Sequence, residues 1–334
     1  MQSETLICKN VLLSSGETLP EAKLVYATAG RLNDARDNVI LYPTSYGTRH
    51  VDIAWLVGPG RPLDTDRYFV VLANMLGNGL SSSPSHYPPG TFPSISVSDS
   101  VNLQHALIRD SLRVERLALV VGFSMGGQQA YHWAALFPEM VERAAIICAS
   151  ARTSVHNKVF LEGLKAALML DPAWNGRYFS DAAPQGIRAM ARIYAGWGMS
   201  AEFYRRALYL TAGYRDVEDF VINDWGAYLA RTNPNDLLAM LDAWHGADIS
   251  NNARYNGALP TALHAIQARC LVMPSLTDMY FSAMEICDEA RQINNVDIHP
   301  IDTVWGHRVN NPRQNPDDAR LVERKLTELL GYKD

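Results

Sequence analysis

Ser124 is the residue whose neighbours most clearly promise chemistry. It lies at the centre of Gly122-Phe123-Ser124-Met125-Gly126, a G-x-S-x-G pattern followed by a second glycine, Gly127. A buried-strand run, Leu119-Val120-Val121, precedes it, and Ala130, Trp133, Ala134 and Phe137 follow at helical spacing up to Pro138. A strand-to-helix turn this sharp forces its central residue into a strained backbone conformation, and small neighbours leave room for it. The hydroxyl then projects above the sheet, while the first amides of the next helix point to where an oxyanion would form.

A serine hydroxyl attacks a carbonyl only when a base takes its proton. On such an elbow the partners follow in the order serine, acid, histidine. Six of the nine histidines follow Ser124. His132 sits on the elbow helix, His156 and His245 in a helical stretch, His264 at its exit and His299 inside a strand. His307 comes just past the last strand, in Trp305-Gly306-His307-Arg308. For the acid, Asp278 follows the strand run Leu271-Val272-Met273, whereas Asp288 reads as helix surface and Asp302 as a strand end. The expected constellation is Ser124, Asp278 and His307, with Asp278 orienting the imidazole. Two amides must hold the oxyanion: that of Met125 and one from the loop Pro43-Thr44-Ser45-Tyr46-Gly47, where Ser45 and Tyr46 both qualify.

These residues need a frame. Near-continuous apolar runs at 38–42, 68–73, 117–121, 144–148, 270–273 and 296–301 predict strands covered on both faces, as in a parallel sheet. Helical patterns alternate with them, one capped by Asp99 and running to about Leu112, which predicts an α/β fold with helices on both faces. From 152 to 263 the strand runs stop. Amphipathic segments at about 158–170, 185–195, 201–211, 216–231 and 235–246 follow one another, with four of the seven tryptophans among them. The predicted organisation is a core of 1–151 and 264–334 interrupted by a helical lid of 152–263.

The chain has 334 residues, 48% apolar and 19% charged, and a net charge of −5. That length buries a large core without disulfides. The acidic balance argues against nucleic-acid binding, which needs a basic face. No apolar run reaches membrane-spanning length, and the opening residues lack the apolar stretch of a secretory signal. Cys8, Cys148, Cys270 and Cys287 are too few and too irregularly spaced for a disulfide framework or a metal site, so a cytoplasmic protein with free thiols is expected. There is no H-E-x-x-H, and Gly77-Asn78-Gly79 is too short for a dinucleotide loop.

Beyond the elbow, the chain resembles the homoserine O-acetyltransferase family of α/β-hydrolases. The resemblance rests on Gly58-Pro59-Gly60, Leu63 to Val71, Ala73-Asn74-Met75-Leu76-Gly77, Gly122 to Ala130, Phe137 to Val141, and the stretch from His156-Asn157-Lys158 to Asp171-Pro172-Ala173-Trp174. It implies a helical lid over a tunnel, a homodimer, Ser124, Asp278 and His307 on the family's triad positions, and acyl transfer from a thioester such as acetyl-CoA. The acceptor side departs from the family. An Asp that binds the amino group of homoserine follows the family's histidine, and here that position is Arg308. The family's lid Arg, which holds the substrate carboxylate, falls near Met199. The segment usually rich in Gly, Ser and Thr reads Asn78-Gly79-Leu80-Ser81-Ser82-Ser83-Pro84. A zwitterionic acceptor needs both charges paired once desolvated, and an arginine facing its ammonium does the reverse.

The expected activity is hydrolysis of a carboxylic ester or thioester through an acyl-Ser124, with no cofactor. The alternative is O-acyl transfer, with an acyl-CoA as co-substrate. A silent scaffold is disfavoured, since each candidate stands in its required place. Arg308, Tyr46, Trp197 and Met199 are expected to line the pocket.

Overall fold

The computed structural model describes residues 1–331. Eight strands form one sheet: β1 (Gln2–Leu12), β2 (Thr18–Ala29), β3 (Val39–Pro43), β4 (Phe69–Ala73), β5 (Leu119–Phe123), β6 (Arg143–Ile147), β7 (Arg269–Met273) and β8 (Val296–Ile298), in the order β1-β2-β4-β3-β5-β6-β7-β8. From β4 to β8 neighbours run parallel, and the six strand runs of the sequence all belong here. Alternate residues of these strands face opposite sides. Ile40, Val70, Leu119, Val121 and Met273 pack with Val322 and Leu326 of the helix Pro316–Leu330. Leu41, Val71, Val120 and Ile146 pack on the other side with Val101, Leu107 and the segment after β6. Both faces are covered, as an α/β sheet requires.

The antiparallel hairpin β1–β2 was not among the expected strands. β1 is an edge strand with mostly exposed side chains, and β2 alternates buried with exposed positions. Neither has the continuous apolarity that marks the interior strands. Lys9 and Glu21, directly opposite in register, form an ion pair that puts charge on this edge.

The helix expected to start at Asp99 is Val97–His105, capped by Ser96; Asp99 is its third residue and completes a capping box. It continues as a π-helical turn, Ala106–Ser111. Residues 152–263 add no strand to the sheet and hold the helices Val155–Met169, Pro184–Gly198, Ala201–Arg205, Leu208–Thr211, Val217–Phe220, Ala227–Leu229, Pro234–His245 and Leu259–His264. The segment expected as one helix over 201–211 breaks at Ala207, whose φ is 49°. The segment expected over 216–231 passes through a second π-helical turn, Val221–Gly226. Phe160, Leu164, Met190 and Trp244 of this segment belong to the same apolar cluster as one sheet face, so the helical segment shares the core. No helix among the described residues is long and apolar enough to cross a membrane, and all four cysteines are free.

Candidate active site

Ser124 ends β5 and caps the helix Met125–Leu136, with φ 56° and ψ −129°. That conformation costs a non-glycine residue roughly 1–3 kcal/mol, held in place by its surroundings. The glycines around it answer to close packing. A Cβ on Gly122 would lie 2.0 Å from the Gly126 carbonyl oxygen, and one on Gly126 would lie 2.8 Å from that of Pro43. The elbow is therefore pressed against the end of β3, where the loop 43–48 begins. The Ser124 amide donates to the Ile147 carbonyl (2.9 Å), which ties the elbow to β6.

Asp278 lies in the loop after β7. One carboxylate oxygen accepts the amides of Tyr280 and Phe281 (both 3.1 Å), and the other lies 2.5 Å from Nδ1 of His307. The His307 loop is knitted to the Asp278 loop: the Thr277 hydroxyl donates to the Thr303 carbonyl and accepts the Gly306 amide, and Ser275 donates to the Gly306 carbonyl. From the other side, the His307 amide donates to the carbonyl of Gly198 at the end of a helix of the insert (2.9 Å). Aromatic rings pack around the imidazole, with centroids at 4.4 Å for Tyr280 and 4.6 Å for Phe123. Ser124, Asp278 and His307 retain only 4%, 7% and 6% exposure, so all three side chains are shielded from bulk solvent. Cys148, buried behind the pair, puts its sulfur within 4.8 Å of the Asp278 and His307 donor atoms. Burial, with the Asp278 charge nearby, pushes the Cys148 thiol up, which keeps it protonated and unlike a thiolate metal ligand.

Ser124 and His307 line one cavity of about 800 Å³, the size of a small-molecule site. Ser45, Tyr46 and Arg308 also line it. The Ser45 amide donates to the Thr48 hydroxyl (2.7 Å) within its own loop. The Tyr46 amide has no such bond, and its carbonyl accepts the Tyr228 hydroxyl. Met125 is the first residue of its helix, where the amide has no intrahelical acceptor.

Two expected pocket residues are elsewhere. Met199 is fully buried at the end of the helix Pro184–Gly198, against Gly306. Trp197 packs on His156 and Phe160, away from the cavity. Tertiary packing of the insert buries Met199 and lays the half-buried Trp197 on the helix Val155–Met169. Arg308 does reach the cavity, but not as a free cation, because it pairs with Asp224 of the insert. Asp224, Tyr194 and Tyr280 line the cavity without having been singled out from the sequence, and no motif or spacing marks them; Trp225, one of the four tryptophans of the insert, lines it too. Of the rejected carboxylates, Asp288 pairs with Arg291 at the surface and Asp302 is exposed.

Residues 39–236 match the family model described as alpha/beta hydrolase fold. The chain is 37% identical to the ethyl acetate hydrolase of Pseudomonas veronii, over 88% of this chain and 86% of that protein. It is 30% identical to the homoserine O-acetyltransferase of Methanococcus vannielii, over 100% of this chain and 75% of that one. The crystal structure of the acetyl esterase MekB superposes with a TM-score of 0.95 at 32% identity, covering 99% of this chain and 97% of that one. The chain therefore belongs to the alpha/beta hydrolase family, as an enzyme of the group that contains both esterases and homoserine O-acetyltransferases.

Proposed function

We propose that the protein hydrolyses carboxylic esters with a short acyl group through an acyl-Ser124 intermediate. The observation that carries this is the 2.5 Å bond between Asp278 and His307 on the cavity that also holds Ser124. With Nδ1 occupied by Asp278, Nε2 is the nitrogen left to take the serine proton. Ser124 Oγ attacks the acyl carbon, and the oxyanion is held by the amides of Met125 and Tyr46. Tyr46 replaces Ser45 as the second donor, since the Ser45 amide is already bonded within its loop. His307 then gives its proton to the leaving alkoxide. Water attacks the acyl-serine next, its proton passing to His307 and on to Ser124 as the acid leaves. No metal or organic cofactor enters any of these steps.

An aromatic wall lines the cavity: Tyr46 stacks on Tyr194 with centroids 5.9 Å apart, Tyr194 lies 5.1 Å from Trp225, and Tyr280 packs against Phe160 at 4.8 Å. Relatives named for ethyl acetate and acetyl ester hydrolysis support an acetyl group. The cavity lining also includes Asp52, Arg231, Asn310, Asn311 and Arg313, polar groups that support entry of water to the acyl-enzyme and so hydrolysis over transfer. Thioesters would follow the same path, and transfer to an alcohol, with acyl-CoA as co-substrate, is the alternative that the transferase relatives support. Free cysteines and an acidic balance support a cytoplasmic enzyme acting on small molecules. A homodimer rests on the family resemblance, and sedimentation velocity tests it.

The test is to supply ethyl acetate, p-nitrophenyl acetate, and acetyl-CoA with homoserine, following free acetate and O-acetyl product. Acetate release from the esters, with an acetyl adduct on Ser124 by mass spectrometry, is expected. Faster formation of O-acetylhomoserine than of acetate would overturn hydrolysis in favour of transfer. Full turnover by Ser124→Ala would overturn the nucleophile.

A further inference from the structure

Beyond His307 the cavity wall carries an ion pair that the acyl chemistry does not use. Arg308 Nη2 lies 2.5 Å from Asp224 Oδ1, with both side chains largely buried. The guanidinium carbon sits 3.9 Å over the Trp225 ring. The second Asp224 oxygen accepts the Tyr214 hydroxyl (2.7 Å) and the Gln314 amide (2.9 Å). Burial pushes the Asp224 carboxyl up, but the Arg308 charge and these hydrogen bonds more than offset it and hold it below the ordinary carboxylate range. All these residues line the cavity.

Their place relative to the reaction is set by the proton. His307 must hand its proton to the leaving alkoxide, so the alcohol half of an ester lies on the His307 side. Arg308, the next residue, and its partner Asp224 line the same cavity as His307 and Ser124.

We propose that the Arg308–Asp224 pair determines specificity for the alcohol half, admitting uncharged alcohols and rejecting carboxylate-bearing and ammonium-bearing ones alike. The inference rests on the ester reading above. Each charge of this pair already has its counter-charge, so a charged alcohol packed against it would lose hydration and gain no partner from the pair. Removing one member leaves the other as a buried charge that an oppositely charged substrate can pair.

The experiment compares acetoxyacetate with propyl acetate, and acetylcholine with 3,3-dimethylbutyl acetate, each a charged ester beside an uncharged one of similar size, at pH 8. For the unmodified protein kcat/KM should be at least ~10-fold lower for both charged esters, a tenfold ratio being about 1.4 kcal/mol. Equal rates on either pair overturn the proposal without any variant. Asp224→Asn should raise relative kcat/KM for acetoxyacetate by ~10-fold or more, mainly through KM. Arg308→Gln should do the same for acetylcholine and not for acetoxyacetate. If the variants fold and lower all four substrates in step, the pair is only a structural brace and the proposal falls. Faster formation of O-acetylhomoserine than of free acetate would instead sink the ester reading, which separates the two failures.

Discussion

His307 and Arg308 are neighbours in the chain, and each grips a buried carboxylate 2.5 Å away. The resemblance ends there. His307 meets Asp278, and both belong to loops at the ends of adjacent parallel strands, β7 and β8. Arg308 reaches the other way to Asp224, on a π-helical turn of the inserted segment. An imidazole gains and loses a proton near neutral pH, whereas a guanidinium never does, so one pair can move a proton and the other can only hold a field and a shape. A third carboxylate makes the contrast sharper. Glu289 accepts the amides of Ala151 and Arg152, at 2.7 and 3.3 Å, without a cation bound to it. Mainly by burial, its carboxyl is pushed up to about 8. Between Asp224 and Glu289, the bound cation rather than burial alone sets the direction of the shift.

The comparison breaks most visibly at the nucleophile. Ser124→Ala should lower kcat by roughly 10⁶-fold, read from acetate release, while Asp224→Asn must not approach such a loss. Asp278→Asn should lower kcat by about 10⁴-fold with the fold intact by circular dichroism, because an amide behind the ring favours the wrong tautomer. A loss in kcat under tenfold would place Asp278 with Asp224, as a brace. Gly122→Ala tests the elbow that carries Ser124. Its Cβ would press on the Gly126 carbonyl, and destabilisation of about 3 kcal/mol, the upper range for overpacking, is expected in urea unfolding.

The smallest effect concerns Glu289. Its folded carboxyl is raised from 4.5 to about 8, so between those values the folded protein keeps a proton that the unfolded chain has lost. Stability should fall as pH rises through that window and level off above it. Glu289→Gln should remove that fall, which is on the order of 2–3 kcal/mol between pH 6 and pH 8.5 at about 1.4 kcal/mol per pH unit. A variant with the same pH slope as the parent would show that Glu289 ionises freely in both states.

How much of this was legible beforehand differs from one element to the next. β3 to β8 were readable because strands buried on both faces must be apolar throughout. The β1–β2 hairpin escaped because an edge strand facing solvent has no such demand. Asp99 was read as a cap and is the capping-box partner of Ser96, a displacement of three residues that helix ends commonly hide. Ser45 and Tyr46 could not be separated from spacing, since only the Thr48 hydroxyl, folded back on the loop, occupies one of the two amides.

The amino-acid order alone determined the elbow, because strand, glycines, serine and helix are contiguous and their sterics are local. It also narrowed the histidine and the acid to His307 and Asp278, because chain order on such a sheet leaves few loops that can reach the elbow. The cavity wall was decided by the tertiary structure. Asp224 stands 84 positions before Arg308 in the chain, and Met199 and Trp197 pack away from the cavity while Trp225 lines it. Which side chains of an amphipathic helix face a neighbour depends on where that neighbour packs, and no local rule encodes that.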